Sequence, residues 1–271
     1  MKKTVNVVVG TPIYRQGAFI IDKFLSNQKE IQQSYPSSEL VLATVEDDFA
    51  DELEKLISFW ELNGKVIRYQ TTKPDYARSK LWNVACGRET IRQYTLLQTE
   101  ASYLLFLDAD MTFDPNVIEV MEREIEGYDA LYSGYAQRDF GISLTGLGCT
   151  MITRDTLEKI RFRCREFKNG EVIPEDELFA IDVMGLGSRI KRGFFLATSH
   201  YKSENEAGCI GPHPLGVLRK ITTSRFVRYG LIRANIMARH DVTGRLEFLL
   251  YRLLATIRRV PPPRRGCNKA G

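Results

Sequence analysis

The chain has 271 residues, 44% hydrophobic and 27% charged, enough to bury a core as one large α/β domain with an appendage or as two small domains. No apolar stretch approaches the roughly 18–20 residues that cross a bilayer. Five cysteines, odd in number and without CxxC spacing, argue against a disulfide framework or a structural zinc site. The net charge of +4 is uneven: from Pro214 onwards there are 13 Lys+Arg against 2 Asp+Glu, a net of +11, which leaves −7 on the first 213 residues.

Short β-branched runs alternate with longer helical patterns, which predicts a parallel sheet with crossover helices. Residues 5–9 read as a strand that Gly10-Thr11-Pro12 ends, too early for a signal-peptide core, so the chain is expected in the cytoplasm. A helix with Phe19, Ile20, Phe24 and Leu25 follows, then a strand over residues 39–45 that runs into Glu46-Asp47-Asp48. Residues 51–63 have helical spacing and close on Asn63-Gly64 as a C-cap. Residues 65–69 form a short strand and 78–94 a helix. The apolar run of residues 103–107 is of central-strand type and stops at Asp108-Ala109-Asp110. Beyond it the pattern gives a helix at 115–126, strands at 130–135 and 149–153, and helices at 154–160 and 175–186. A last strand at 194–197 precedes His200. Ligands of parallel α/β sheets bind beyond the carboxyl ends of strands, where these acids stand.

Asp108 and Asp110 carry the sharpest chemistry. At i and i+2 of an extended chain both point one way while Ala109 points back. Paired anions at the end of a buried strand repel unless a cation joins them, and oxygen ligands suit Mg²⁺ or Mn²⁺, which would also bridge a diphosphate. As solvated loop acids or helix caps the two would need no metal. Glu175 and Asp176 follow Pro174, where acids favour a helix start through the macrodipole and where a carboxylate can also be held as a general base. His200 follows a short apolar strand, a place for a packing residue or a metal ligand. Arg78, Lys80 and Asn83 lie near a helix start, suited to phosphate oxygens or simply to a solvated face.

The ordered set resembles GT-A nucleotide-sugar glycosyltransferases, most of all glycosyltransferase family 2. The elements that carry it are Val9-Gly10-Thr11-Pro12, the acids after the second strand, Ala77-Arg78 to Asn83 and the DxD motif Asp108-Ala109-Asp110. The Gly-rich strand from Thr145 to Arg154 and the Glu175-Asp176-Glu177-Leu178-Phe179 motif complete it, across roughly residues 5–205. The resemblance implies a Rossmann-like mixed, mostly parallel sheet flanked by helices over residues 1–213, with a basic helical extension over 214–271. It implies Thr11, Pro12 and Glu46 at the nucleoside, with Asp47 or Asp48 as substitutes for Glu46, and Arg78 and Asn83 near the nucleotide. Asp108 would face the ribose and a metal-bound water, and Asp110 and His200 would ligate Mn²⁺ or Mg²⁺. Asp176, supported by Glu175, resembles the base of inverting members. The second strand ends in Glu-Asp-Asp-Phe rather than the more frequent Asp-Asp-x-Ser, and Lys73-Pro74-Asp75-Tyr76 stands where a Gly-Gly lead-in is usual.

The implied function is metal-dependent transfer of a sugar from a nucleoside-diphosphate sugar to a sugar, lipid-linked or protein acceptor. Two rivals fit less well. A sugar-nucleotide nucleotidyltransferase needs a Gly-rich, Arg-containing loop after strand one, which Gly10-Thr11-Pro12-Ile13-Tyr14-Arg15 does not supply. A non-catalytic binder would be expected to lose the acids. In the tail, Leu246, Leu249, Leu250, Leu253, Leu254 and Ile257 form a stripe among arginines. Such a helix packs on the body or a second subunit, or lies peripherally on an anionic membrane, and no nucleic-acid motif accompanies it.

Overall fold

The computed structural model describes residues 5–136, 142, 143, 146–167 and 170–210. The basic tail, and with it the expected boundary at 213/214, lies outside the described residues.

In chain order the strands of the main sheet are β1 (Val7–Pro12), β2 (Ser38–Thr44), β3 (Gly64–Arg68) and β4 (Tyr103–Leu107). β5 (Met111–Phe113) leaves the sheet and β6 (Ala130–Ser133) returns to it. A small ribbon pairs β7 (Tyr135–Ala136) with β8 (Ile142–Ser143), and β9 (Cys149–Thr153) re-enters the sheet. Then come the hairpin β10 (Arg165–Glu166) and β11 (Val172–Ile173), followed by β12 (Ile190–Gly193), β13 (Thr198–Ser203) and β14 (Glu206–Ile210). The helices are α1 (Ile21–Ser34), α2 (Asp47–Phe59), α3 (Leu81–Gln98), α4 (Val117–Ile125), α5 (Arg154–Leu157) and α6 (Glu175–Gly185).

The seven-stranded sheet has the order β12-β6-β9-β4-β1-β2-β3. All its neighbours are parallel except β9, which runs antiparallel to both β4 and β6. This is the expected GT-A type of Rossmann-like sheet, mixed but mostly parallel. Strand side chains alternate between its faces, so both faces must be covered. Val7, Val9, Leu40, Leu42, Leu105 and Leu107 meet α1, α2 and α4 through residues such as Phe24, Phe49 and Met121. Val8, Val41, Leu104 and Phe106 meet Ile91 of α3 and Phe179 of α6 on the other face.

Helix α3 is anchored along its length. A Cβ on Gly10 would lie 2.6 Å from Ile91, so only glycine there lets α3 sit this close to β1. At its carboxyl end Arg154 donates to the carbonyls of Thr95, Leu96, Thr99 and Ala101 at 2.8–3.2 Å, satisfying acceptors the helix leaves open. Arg154→Ala is expected to lower stability by about 2 kcal/mol, because hydrogen bonds from a charged donor are worth more than neutral ones. Urea denaturation measures this, and an unchanged midpoint would show that the cap is dispensable.

Several sequence expectations shift: Gly10-Thr11-Pro12 continue β1 instead of ending it, and α2 closes at Phe59, so Gly64 opens β3 rather than capping a helix. The acids after the second strand are not an extended end: Glu46 is the residue before α2, and Asp47 and Asp48 are in its first turn, where the macrodipole favours them. The last strand is not 194–197. Residues 190–193 complete the main sheet, and the next strand begins at Thr198 because it pairs with β5 rather than with the sheet.

Candidate active site

β5 directly follows Asp110, and β13 pairs with it antiparallel in a register that sets His200 opposite Met111. The amide of Tyr201 donates to the Asp110 carbonyl at 2.9 Å. This backbone pairing brings His200 Nε2 to 3.3 Å from Asp110 Oδ2, although 90 residues separate the two in sequence. The Tyr135 ring lies edge-on to His200 with centroids 5.8 Å apart.

A cavity of about 350 Å³ opens beside this pair, beyond the carboxyl ends of β1 and β4. Asp108, Asp110, Glu175 and Asp176 border it together with Pro12, Tyr14 and Arg88. Among the described residues four carboxylates thus face one guanidinium, an arrangement that favours a bound cation. Asp108 comes close to the backbone of β9's approach: a Cβ on Gly148 would lie 2.6 Å from Asp108 Oδ2 and 3.0 Å from the Tyr135 ring. Burial raises the Tyr135 phenol above its ordinary pKa, so it stays a neutral donor.

Arg88 was not singled out from the sequence. It is 4% exposed, on the face of α3 that also buries Ala85, Ile91, Arg92 and Thr95. One guanidinium nitrogen pairs with Glu175 and another donates to Asp108 Oδ1 at 2.9 Å. The signal was present as a basic residue at helical spacing among apolar ones, where a charge is rare unless paired.

At the start of α6 the two acids part company. Glu175 is buried against Arg88, and burial pushes its carboxyl up to about 7 although the Arg88 charge pulls the other way. Asp176 borders the cavity, and its Oδ1 accepts the Glu177 amide at 2.8 Å, as a residue at a helix start does.

A second cavity of about 490 Å³ adjoins the first through Tyr14, Gly17 and Val84, and Glu46, Asn83 and Lys80 border it. Glu46 Oε2 accepts the Arg15 amide at 2.7 Å, and Asn83 Oδ1 accepts the Thr71 hydroxyl at 2.7 Å. Three other candidates stand apart. Thr11 is buried, its hydroxyl donating to the Leu107 carbonyl at 2.7 Å beneath the site. Asp48 is exposed and paired with Arg15 at 3.2 Å. Arg78 precedes α3 and reaches back to the carbonyls of Asp75 and Ala77. The amino end of α3, a candidate phosphate site, is met by a carboxylate of the chain itself: Glu166 accepts from the amides of Arg78 and Ser79 and from the Trp82 indole at 2.8–3.1 Å.

Among the described residues, no three His, Cys, Asp or Glu side chains converge to hold an ion on their own. The Asp110–His200 pair nevertheless fits one. Adjacent ligands of an octahedral ion with bonds near 2.1 Å stand about 3 Å apart, and such ions keep several positions for water and phosphate oxygens.

No protein-family model matches the chain, nor does any curated protein. Solved structures similar to it include S. aureus TarS, 15% identical over 94% of this chain and 44% of that one, with a TM-score of 0.50. TarS 1-349 in complex with UDP-GlcNAc is 16% identical over 93% of this chain and 72% of that one, with a TM-score of 0.49. A197 from STIV is 16% identical over 77% of this chain and 95% of that one, with a TM-score of 0.45. At such identities the likeness to TarS is one of fold.

Proposed function

We propose that the chain is a metal-dependent glycosyltransferase that takes a sugar from a nucleoside-diphosphate sugar, of the kind that resembles family 2. The observation that carries this is the Asp110–His200 pair, 3.3 Å apart at the mouth of a carboxylate-rich cavity beyond the strand ends. The adjoining cavity, with Glu46 and Asn83 on its wall, has room for the nucleoside.

Asp110 and His200 would hold Mn²⁺ or Mg²⁺, with Asp108 beside them. A divalent ion bound there supplies charge neutralisation for a leaving diphosphate. The residues of the chain do the rest. Pro12 and Tyr14 wall the donor side, and Arg88 offsets part of the carboxylate charge. Asp176 takes the proton of the acceptor hydroxyl as that oxygen attacks the anomeric carbon, so that the sugar is transferred with inversion. Among the described residues no helix is long and apolar enough to cross a membrane. A cytoplasmic enzyme whose basic tail meets an anionic membrane surface suits a lipid-linked acceptor.

Incubation with UDP-, GDP- and other nucleotide sugars plus Mn²⁺ should release nucleoside diphosphate from at least one of them, and EDTA should stop the release. No release from any donor would remove the proposal. His200→Ala should weaken Mn²⁺ affinity and lower turnover about 10- to 100-fold while the protein stays folded. It should also shift preference towards Mg²⁺, since imidazole favours Mn²⁺. An unchanged metal titration would return His200 to a packing role against Tyr135.

A further inference from the structure

Arg88 is held more firmly than most long side chains. Its helix is fixed at the amino end by Glu166 and at the carboxyl end by Arg154, and it packs closely on β1 across Gly10. Its guanidinium lies 5.4 Å from the Phe106 ring centroid, in the core of the sheet's second face. From there it pairs with Asp108 at the end of β4 and with Glu175 at the start of α6, two elements that belong to different parts of the chain. Among the described residues Arg88 Nε and Glu175 Oε2 are buried without a hydrogen-bond partner. A buried polar network left partly unsatisfied is costly, and its cost makes sense where position matters more than stability.

We infer that Arg88 is a positioning residue whose guanidinium sets the spacing between Asp108, on the diphosphate side, and the first turn of α6, which carries Asp176. This rests on the proposed transferase reading. The fork geometry of arginine is essential to it, because two carboxylates on separate elements are held at once, and the compact ammonium of lysine cannot reproduce that. A general base misplaced by about 1 Å loses much of its effect, while the donor site can still bind.

Two measurements test it. In Arg88→Lys, transfer to acceptor should fall at least tenfold more than donor hydrolysis, with a donor KM that moves less than threefold. Transfer and hydrolysis falling together, in proportion to the folded fraction, would overturn the inference. The second measurement needs no turnover. The melting-temperature shifts of Asp108→Asn and Glu175→Gln should be non-additive by several degrees in the otherwise native chain and additive in an Arg88→Met background. Additivity in both would show that Arg88 does not link the two. If the native protein releases no nucleoside diphosphate from any donor, the transferase reading fails and the melting cycle alone decides whether Arg88 spaces the two elements.

Discussion

Asp110→Ala is expected to abolish turnover, by about a thousandfold or more, without unfolding the protein. The side chain is the carboxylate partner of His200, and its removal takes away the charged half of the proposed ligand pair. Loss of one preorganised electrostatic contact to a developing charge costs about 10²–10³ in kcat, and an ion that cannot be retained costs more. The fold should survive because the structural bond at this position is made by the backbone: the Tyr201 amide donates to the Asp110 carbonyl whatever the side chain. The β5–β13 register, and His200 with it, therefore stays in place. Circular dichroism and thermal melting check that the fold survives, and donor turnover in Mn²⁺ checks the loss of activity. A variant that melts like the native protein and still turns over would contradict it.

Asp176→Asn should lower transfer by about a hundredfold, the usual size of a general-base contribution, while leaving donor binding intact. The substitution keeps the shape and an acceptor oxygen for the Glu177 amide, so the helix start is preserved. Its neighbour should behave differently. Glu175 is buried on Arg88, and Glu175→Gln should cost less in transfer but change the response of stability to pH. Burial raises the folded-state pKa of Glu175 from 4.5 to about 7, so between those values the folded protein holds the proton more tightly than the unfolded chain. Stability from this group is therefore present at low pH and declines as pH rises through about 7, and Glu175→Gln should flatten that decline. Urea denaturation at pH 5 and pH 8 separates the two variants. Near-native transfer by Asp176→Asn would make Asp176 a helix-start acid and favour a retaining mechanism.

The sheet was legible because its strands are short β-branched runs, although Gly10-Thr11-Pro12 continue β1 rather than end it, and the alternation of Val7, Val8 and Val9 between two cores follows from strand geometry. The placement of Asp108 and Asp110 at a strand end was legible for the same reason. The approach of His200 to Asp110 came from the family resemblance; the local pattern cannot supply it, because a register between β5 and β13 is set by pairing across 90 residues. Arg78 drew notice as a cation near a helix start, but Glu166, distant in sequence, meets the amides there. Arg88 does not stand out in the sequence because α3 is only weakly two-sided, with Arg88 and Arg92 among its buried residues, so polarity does not separate its faces. Its importance depends on where Asp108 and Glu175 lie in space, which only the assembled fold provides.

On the proposed reading, a divalent ion at Asp110 and His200 would join a nucleoside diphosphate to this cavity. Calorimetric titration of the native protein with UDP and with GDP, in Mn²⁺ and again in EDTA, addresses it most directly. One of the two nucleotides should bind in Mn²⁺, and its binding should be lost in EDTA and in Asp110→Ala. Equal affinity in Mn²⁺ and EDTA, or an Asp110→Ala variant that binds like the native protein, would contradict the account.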